Sequence, residues 1–322
     1  VGVRPPLASG SISLRLYAHG ELPAERIVGE LRAQAGLAEQ AGFDGVMTSE
    51  HHAGFAGYLP NPLQVASWLL ESTTESWAAA CPILLTLRPA ALVAEEAAWL
   101  AASFPGRVGL GVAAGSLTSD FEIMGLSTDG LAGRFATALS TVAALLGGEG
   151  TGALTMDPAI SRCAEHPVPV VSAAMSGVAV RRAARLGVGV LADSLSTPVR
   201  VRQLTDAYRR AGGDRTCVLI RRACVGEPPR SHIDDQVRRY RGYAEPGAQE
   251  HWQGDQLVAS PEPAAVAEEL AAVAARAGAD ALNLRVHVPG VSPNEVRDQI
   301  VAMGEVVTQL RRCWQPPAPA RR

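Results

Sequence analysis

The chain has 322 residues, is 47% hydrophobic and 19% charged, and carries a formal net charge of -3. It is long and apolar enough to bury one large core, and too near neutral for the broad basic field that would hold nucleic acid or an anionic membrane. Its basic side chains are all arginine, and its five cysteines (81, 163, 217, 224 and 313) form no C-x-x-C pair and leave one over. That argues against a disulfide framework or a zinc knuckle and fits a reducing cytoplasm. Val1 to Gly10 lacks the basic-then-apolar pattern of a leader, and no apolar run reaches membrane-spanning length.

In chain order, short runs of β-branched and small apolar residues predict strands over Ser11 to Tyr17, Gly45 to Thr48, Ala78 to Leu85, Val108 to Val112, Val168 to Ser172, Val188 to Ala192, Cys217 to Val225 and Ala281 to Val286. Helical spacing fills the gaps: Ile27, Leu31, Ala35 and Ala38 share a face, as do Val266, Leu270, Val273 and Ala277. Val296, Ile300, Met303, Val307 and Leu310 give a closing helix. Ala-Gly pairs at 41–42, 211–212 and 277–278 stand where a left-handed helix cap precedes a strand. Strict alternation calls for parallel pairing, and eight such units close into a (β/α)8 TIM barrel. An open doubly wound sheet would carry a glycine fingerprint after its first strand, and Ser11 to Gly20 has none; the glycines of Gly106 to Gly111 lie before and inside a strand, where they make room for close packing. Residues 1–314 are expected to form this single domain. Arg230 to Ser260 is expected to be a short helix plus loop, a lid over the barrel mouth bearing Tyr240, Tyr243 and Trp252, and Gln315 to Arg322 a disordered tail.

The segment Thr48-Ser49-Glu50-His51-His52 places two imidazoles where the second strand gives way to a loop, the end of an α/β barrel that carries reactive groups. An imidazole titrating near ~6.5 exchanges protons close to neutral pH. Neighbours on an extended segment point opposite ways, so Glu50 and His52 are expected to lie apart from His51, with Glu50 paired to Arg88 or another arginine. A metal site on Glu50, His51 and His52 lacks ligand spacing, and His166 and His287 are remote in sequence. Pro82 removes a ladder donor from the third strand and implies a bulge or strand end at Cys81-Pro82. Asp120 stands in an expected loop with Ser116, Thr118 and Ser119, either as a turn cap or as a site residue. Met175-Ser176-Gly177 stands where the fifth strand becomes a helix, a place for a capping serine and a phosphate.

These motifs, taken with Asn61-Pro62, Cys81 to Pro89, Phe104 to Val112, Phe121 with Gly125, Ala173 to Gly177 with Leu186-Gly187, and Ala259 to Glu262, resemble in order and spacing the bacterial luciferase-like monooxygenases over nearly the whole chain. The resemblance implies a flavin at the carboxyl end of the barrel, with reduced FMN delivered by a separate flavin reductase. Oxygen adds at the flavin C4a atom, and the resulting peroxide or hydroperoxide oxygenates a small organic substrate in a dry cavity. It assigns catalysis to His51 and Asp120. It assigns flavin contacts to Ala80, Cys81 and Pro82, with a cis peptide at Ala80-Cys81 or Cys81-Pro82, and to Ala113, Ala114, Met175, Ser176 and Gly177. Two departures stand out: Ala114 replaces an arginine common after the fourth strand, and Met175 replaces an acidic residue, implying a weaker or rearranged phosphate clamp. The F420-dependent group of the same fold is the first alternative, although its members more often show Ser-Asp-His followed by tryptophan, where this chain has Glu50-His51-His52 and then Phe55. A non-catalytic flavin-binding or partner subunit is the second. The resemblance also implies a homodimer, for which Trp68, Leu69, Trp99 and Leu100 are candidate contacts. The lid aromatics suggest a largely apolar substrate.

Overall fold

Alternating strand and helix does close on itself. In the computed structural model, which describes residues 2–243, 249–250 and 252–316, the strands are β1 (Ile12–Arg15), β2 (Gly45–Thr48), β3 (Trp77–Leu84), β4 (Val108–Ala113), β5 (Val170–Ala173), β6 (Gly189–Ala192), β7 (Cys217–Val225), β8 (Leu257–Ser260) and β9 (Ala281–Arg285). Each of the first seven pairs in parallel with the next, β7 pairs with β9, and β9 returns to β1, so eight strands form a closed ring. The ninth, β8, lies outside the ring against the carboxyl half of β7, with Arg222 opposite Leu257 and Val225 opposite Ser260. The sequence reading missed β8 because Leu257–Ser260 is only four residues long, three of them apolar and one buried, at the end of a charged stretch.

Helices α1 (Ala24–Gln40), α2 (Pro62–Leu70), α3 (Ala90–Ser103), α4 (Thr118–Ile123), α5 (Leu131–Leu146), α6 (Pro158–Arg162), α7 (Gly177–Arg185), α8 (Pro198–Arg210) and α9 (Arg230–Tyr243), with two more over Pro263–Ala277 and Pro293–Cys313, accompany the ring. The expected inward faces are buried, among them Leu31, Ala35 and Ala38 on α1 and Ile300, Met303 and Leu310 on the last helix. At about 1.5–3 kcal/mol for each fully buried Leu, Ile or Met, these stripes hold the outer layer on the barrel. The helix Pro263–Ala277 ends on Gly278 at φ 64, the left-handed cap its Ala-Gly pair predicts, and Gly42 and Gly212 have φ 84 and 85.

Inside the ring a second, smaller core of Leu7, Met47, Trp77, Ala79, Cys81, Val171, Leu191, Val218 and Ala281 fills the barrel. Gly111 makes that filling possible: a Cβ there would stand 2.2 Å from the Cys81 sulfur, so close packing is the reason for the glycine. Toward the carboxyl ends of the strands the lining turns polar, with buried Ser13, Arg15, Ser49, Arg222, Asn283 and Arg285. The change from apolar to polar lining divides a structural end of the barrel from a chemical one.

Between β7 and β8, α9 supplies the expected short helix and buries Gln236 and Tyr240 at the mouth. Residues 244–248 and 251 of the expected lid, and 317–322 of the expected tail, lie outside the described residues. Trp252 is described; its indole N–H donates to Asp193 at 3.2 Å and its backbone bridges Ser196. Of the four candidate dimer residues, Leu69 is core, Trp68 and Leu100 pack against the core, and Trp99 is 51% exposed. No helix among the described residues is long and apolar enough to cross a membrane.

Candidate active site at the carboxyl rim of the barrel

The chain leaves β2 still extended, and alternation sends successive side chains to different partners. His51 Nδ1 lies 2.7 Å from Asp120 Oδ2, while the other carboxylate oxygen of Asp120 accepts the backbone N–H of His52 at 3.0 Å. The carboxylate is fully buried and the imidazole nearly so, with 12% of its side chain exposed. A carboxylate only accepts, so Nδ1 is the donor in that bond. Phe55 and Tyr58 pack against the ring with centroids at 4.6 Å each. Asp120 sits in the first turn of α4 rather than in the loop the sequence suggested. Six residues of mixed polarity give no helical period to read.

Glu50 takes the opposite side, as alternation requires. Its carboxylate accepts from Arg88 Nη2 at 2.6 Å and from the Leu84 backbone at 2.6 Å, and lies 3.1 Å from His52 Nε2. This buried pair ties the end of β2 to the end of β3. Among the described residues no group of three or more His, Cys, Asp or Glu is placed to hold a metal ion, so Glu50, His51 and His52 form no such cluster.

Ala80, Cys81 and Pro82 lie where the β3–β4 register shifts, between Ala80 and Ile83, and the Cys81-Pro82 peptide is cis. The Cys81 thiol is fully buried, and burial pushes it up to about 11, so it stays protonated and serves packing rather than nucleophilic chemistry. Ala113 ends β4 and Ala114 follows it, its carbonyl accepting from the Thr86 hydroxyl at 2.6 Å.

Ser176 caps α7 and accepts the Ala179 N–H at 3.3 Å. Arg200, in the first turn of α8, donates to the Met175 carbonyl at 3.0 Å, and its buried Nε has no partner. A Cβ on Gly177 would lie 3.0 Å from the Arg181 guanidinium. A capped helix start, a spare guanidinium N–H and a second arginine alongside fit a phosphate. Sequence reasoning found Ser176 and missed both arginines. The signal was present: an arginine three residues past the capping Thr197 faces the next helix start.

The other half of the mouth was not anticipated either. Arg15 donates to Asn283 Oδ1 at 2.7 Å, Ser49 Oγ at 2.9 Å and the Cys81 carbonyl at 2.8 Å. Arg285 donates to Ser194 Oγ at 2.8 Å, Gln236 Oε1 at 2.9 Å and Tyr240 Oη at 3.0 Å. Tyr240 Oη lies 2.8 Å from Tyr58 Oη, so two phenols link Arg285 to the ring face of His51. Burial pushes the Tyr240 hydroxyl up, but the Arg285 guanidinium and the Tyr58 bond outweigh it and bring it below the ordinary phenol range. The mouth is therefore far more polar than the lid aromatics suggested.

A cavity of about 1190 Å³ opens at the opposite, amino end of the strands, between Leu7, Val108, Pro169, Gly189 and Thr216. It is remote from the His51 pair and lies on the face that barrels use for stability. A smaller cleft of about 450 Å³ runs between α9 and the Phe55–Gly57 loop, with Gln236 and Tyr240 on its wall. That cleft leads to the residues just described and is the better entrance.

A family model described as luciferase-like monooxygenase matches residues 13–309. The F420-dependent glucose-6-phosphate dehydrogenase of Beutenbergia cavernae is 34% identical over 178 residues, 51% of this chain and 52% of that protein, so the match spans about half the length of the relative. Among solved structures, monooxygenase RslO1 from Streptomyces bottropensis superposes with a TM-score of 0.74 at 19% identity, covering 92% of this chain and 98% of its own. The oxygenating constituent of 3,6-diketocamphane monooxygenase from Pseudomonas putida, in complex with FMN, gives 0.72 at 14% identity, with 96% and 100% covered. An F420-dependent secondary alcohol dehydrogenase with an F420-acetone adduct gives 0.70 at 16% identity, with 94% and 99% covered. At such identities the structural likeness establishes the barrel.

Proposed function

The chain belongs to the luciferase-like monooxygenase family, and on that footing we propose that it is a two-component monooxygenase that takes reduced FMN from a separate flavin reductase and oxygenates a small organic substrate. The observation that carries this reading is the His51–Asp120 pair at the carboxyl rim, 2.7 Å apart and sheltered from water. When bound, reduced FMN supplies the electrons that activate dioxygen. The start of α7, with Ser176, Arg181 and Arg200, holds its phosphate, and Ala80 to Pro82, Ala113, Ala114 and Gly177 offer small side chains and backbone to the ring system. Asp120 fixes the His51 tautomer, and His51 takes up or returns a proton at Nε2 as charge develops on oxygen. Phe55, Tyr58 and α9 exclude water from that exchange.

F420-dependent hydride transfer is the second reading, favoured by the 34% identity to an F420-dependent dehydrogenase. Phe55, four residues after His51, weighs against it. The test is oxygen uptake and product formation by the purified chain with NADH, FMN and a flavin reductase, set beside turnover with reduced F420 under nitrogen. Substrate-dependent oxygen uptake with FMN is expected; turnover with F420 alone, indifferent to oxygen, replaces the first reading by the second. We further propose a homodimer through the α3 face that bears Trp99 and the 45% exposed Leu92. Light scattering of a monomer at assay concentration rejects it.

A further inference from the structure

β7 and β9 set Arg222 directly opposite Arg285 in the ladder, both buried, and Arg15 on β1 stands one step past the Leu14–Leu284 pairing, as Arg285 does on β9. Three guanidiniums therefore occupy one level of three adjacent strands. Like charges directly opposite are destabilising, and a buried ion without a counter-charge is strongly so. Among the described residues none of the three makes a salt bridge. Arg222 and Arg285 instead share one neutral acceptor, Gln236 Oε1, at 2.6 and 2.9 Å. Arg222 Nε and Nη1, Arg285 Nε and Gln236 Nε2 are buried with no partner at all. A donor-only array of this kind, lidded by α9, is incomplete by itself.

We propose that Arg222, Arg285 and Gln236 bind the carboxylate of an anionic organic substrate, whose reacting end then lies on the Tyr58 and His51 side of the mouth. This deepens the monooxygenase reading by naming the substrate class. A carboxylate supplies the missing charge and accepts two to four hydrogen bonds in the forked geometry a guanidinium offers. Burial holds Arg222 below the usual guanidinium range, at about 10, with Arg285 adding to the effect, so it remains charged at neutral pH. Arg15, whose donors already reach Asn283, Ser49 and Cys81, acts as a fixed wall behind the pair.

The test is equilibrium binding to the purified full-length chain without flavin, by calorimetry, using benzoate and its neutral isostere benzamide. Benzoate is expected to bind at least tenfold more tightly than benzamide, consistent with charge-assisted hydrogen bonds. Arg222→Gln is expected to weaken benzoate about 10- to 100-fold, while FMN affinity, read by flavin fluorescence, stays within twofold. Gln236→Leu, on the lid helix and outside the barrel wall, gives a weaker loss in the same direction should Arg222→Gln fail to fold. Arg200→Gln is the converse control and lowers FMN affinity while leaving benzoate unchanged. Equal binding of the two probes, no benzoate binding at millimolar concentration, or benzoate loss on Arg200→Gln each overturns the proposal. So does a Gln236→Leu variant that binds benzoate as the parent does. Weakened FMN binding in Arg222→Gln with benzoate unaffected reassigns the arginines to the flavin ring. None of these readouts needs turnover, so absence of oxygenase activity overturns the monooxygenase reading alone.

Discussion

The two sides of the barrel mouth handle charge in opposite ways. On the β2–β4 side, every buried carboxylate meets a cation or imidazole: Asp120 faces His51 and Glu50 faces Arg88 and His52. On the β7–β9–β1 side, three buried guanidiniums meet no carboxylate among the described residues; their partners are amide, hydroxyl and carbonyl oxygens, the Met47 sulfur and the rings of Tyr17 and Tyr240. The first side is satisfied internally and holds its geometry without a ligand, as catalytic groups must. The second retains unmet hydrogen-bonding capacity, as a recognition surface does.

The largest effect expected on the satisfied side is kinetic. His51→Ala should lower turnover by about 10²–10⁴, the usual contribution of a positioned acid or base, with FMN affinity retained. Asp120→Asn should act in the same direction and distort the pH profile of kcat, because an amide in place of the carboxylate no longer fixes Nδ1 as the donor. Turnover by His51→Ala within twofold of the parent would make this side mere scaffold and erase the contrast.

Next in size is a stability effect. Glu50→Gln leaves the Arg88 guanidinium, only 19% exposed, without its main counter-charge. Removing one partner of a buried pair costs about 3–5 kcal/mol, so denaturant unfolding should show a loss at the lower end of that range. Glu96 lies 3.8 Å from Arg88 and offers a partial substitute. A loss below about 1 kcal/mol, in the range of exposed pairs, would mean that Glu96 suffices and that the pairing is not structural.

The barrel was legible because its physics is local and repeated. The βα units repeat a short apolar run followed by a helical stripe, three of them closed by an Ala-Gly cap, and eight repeats leave one closed solution. The His51 end of the site was legible for a related reason, since alternation along an extended strand separates Glu50 from His51 before any contact is known. Asp120 was found by position, but its helix was not, because one and a half turns carry no period. The arginine arc was invisible. Arg15, Arg222 and Arg285 sit inside runs that read as ordinary strands, and only register and ring closure bring residues 15, 222 and 285 to one level. Arg200 was harder to read than Ser176, since a helix-borne arginine reads as solvated until the neighbouring start of α7, whose Met175 carbonyl it meets, is placed.

The smallest expected effect is a difference in acid sensitivity between the two sides. His287, two residues past Arg285, is 1% exposed and stacks on His19 with centroids at 4.1 Å. Burial first, then the neighbouring His19 and Arg285, pushes its imidazole down to about 3, and neither ring nitrogen has a hydrogen-bond partner among the described residues. An unfolded histidine titrates near ~6.5, so as pH falls the unfolded chain takes the proton first. The stability His287 contributes is whole above that value and declines from there toward pH 3, amounting to about 2 kcal/mol lost at pH 5. Glu30 and Glu39, whose carboxyls are held below the ordinary 4.5 by their hydrogen-bond partners despite burial, withdraw support only at lower pH. Unfolding free energies at pH 7.5 and 5.0 therefore isolate the histidine, and His287→Gln should flatten most of the difference. An equal pH dependence in the variant would place the sensitivity elsewhere, and a parent chain as stable at pH 5.0 as at 7.5 would mean that the cationic side tolerates one more charge.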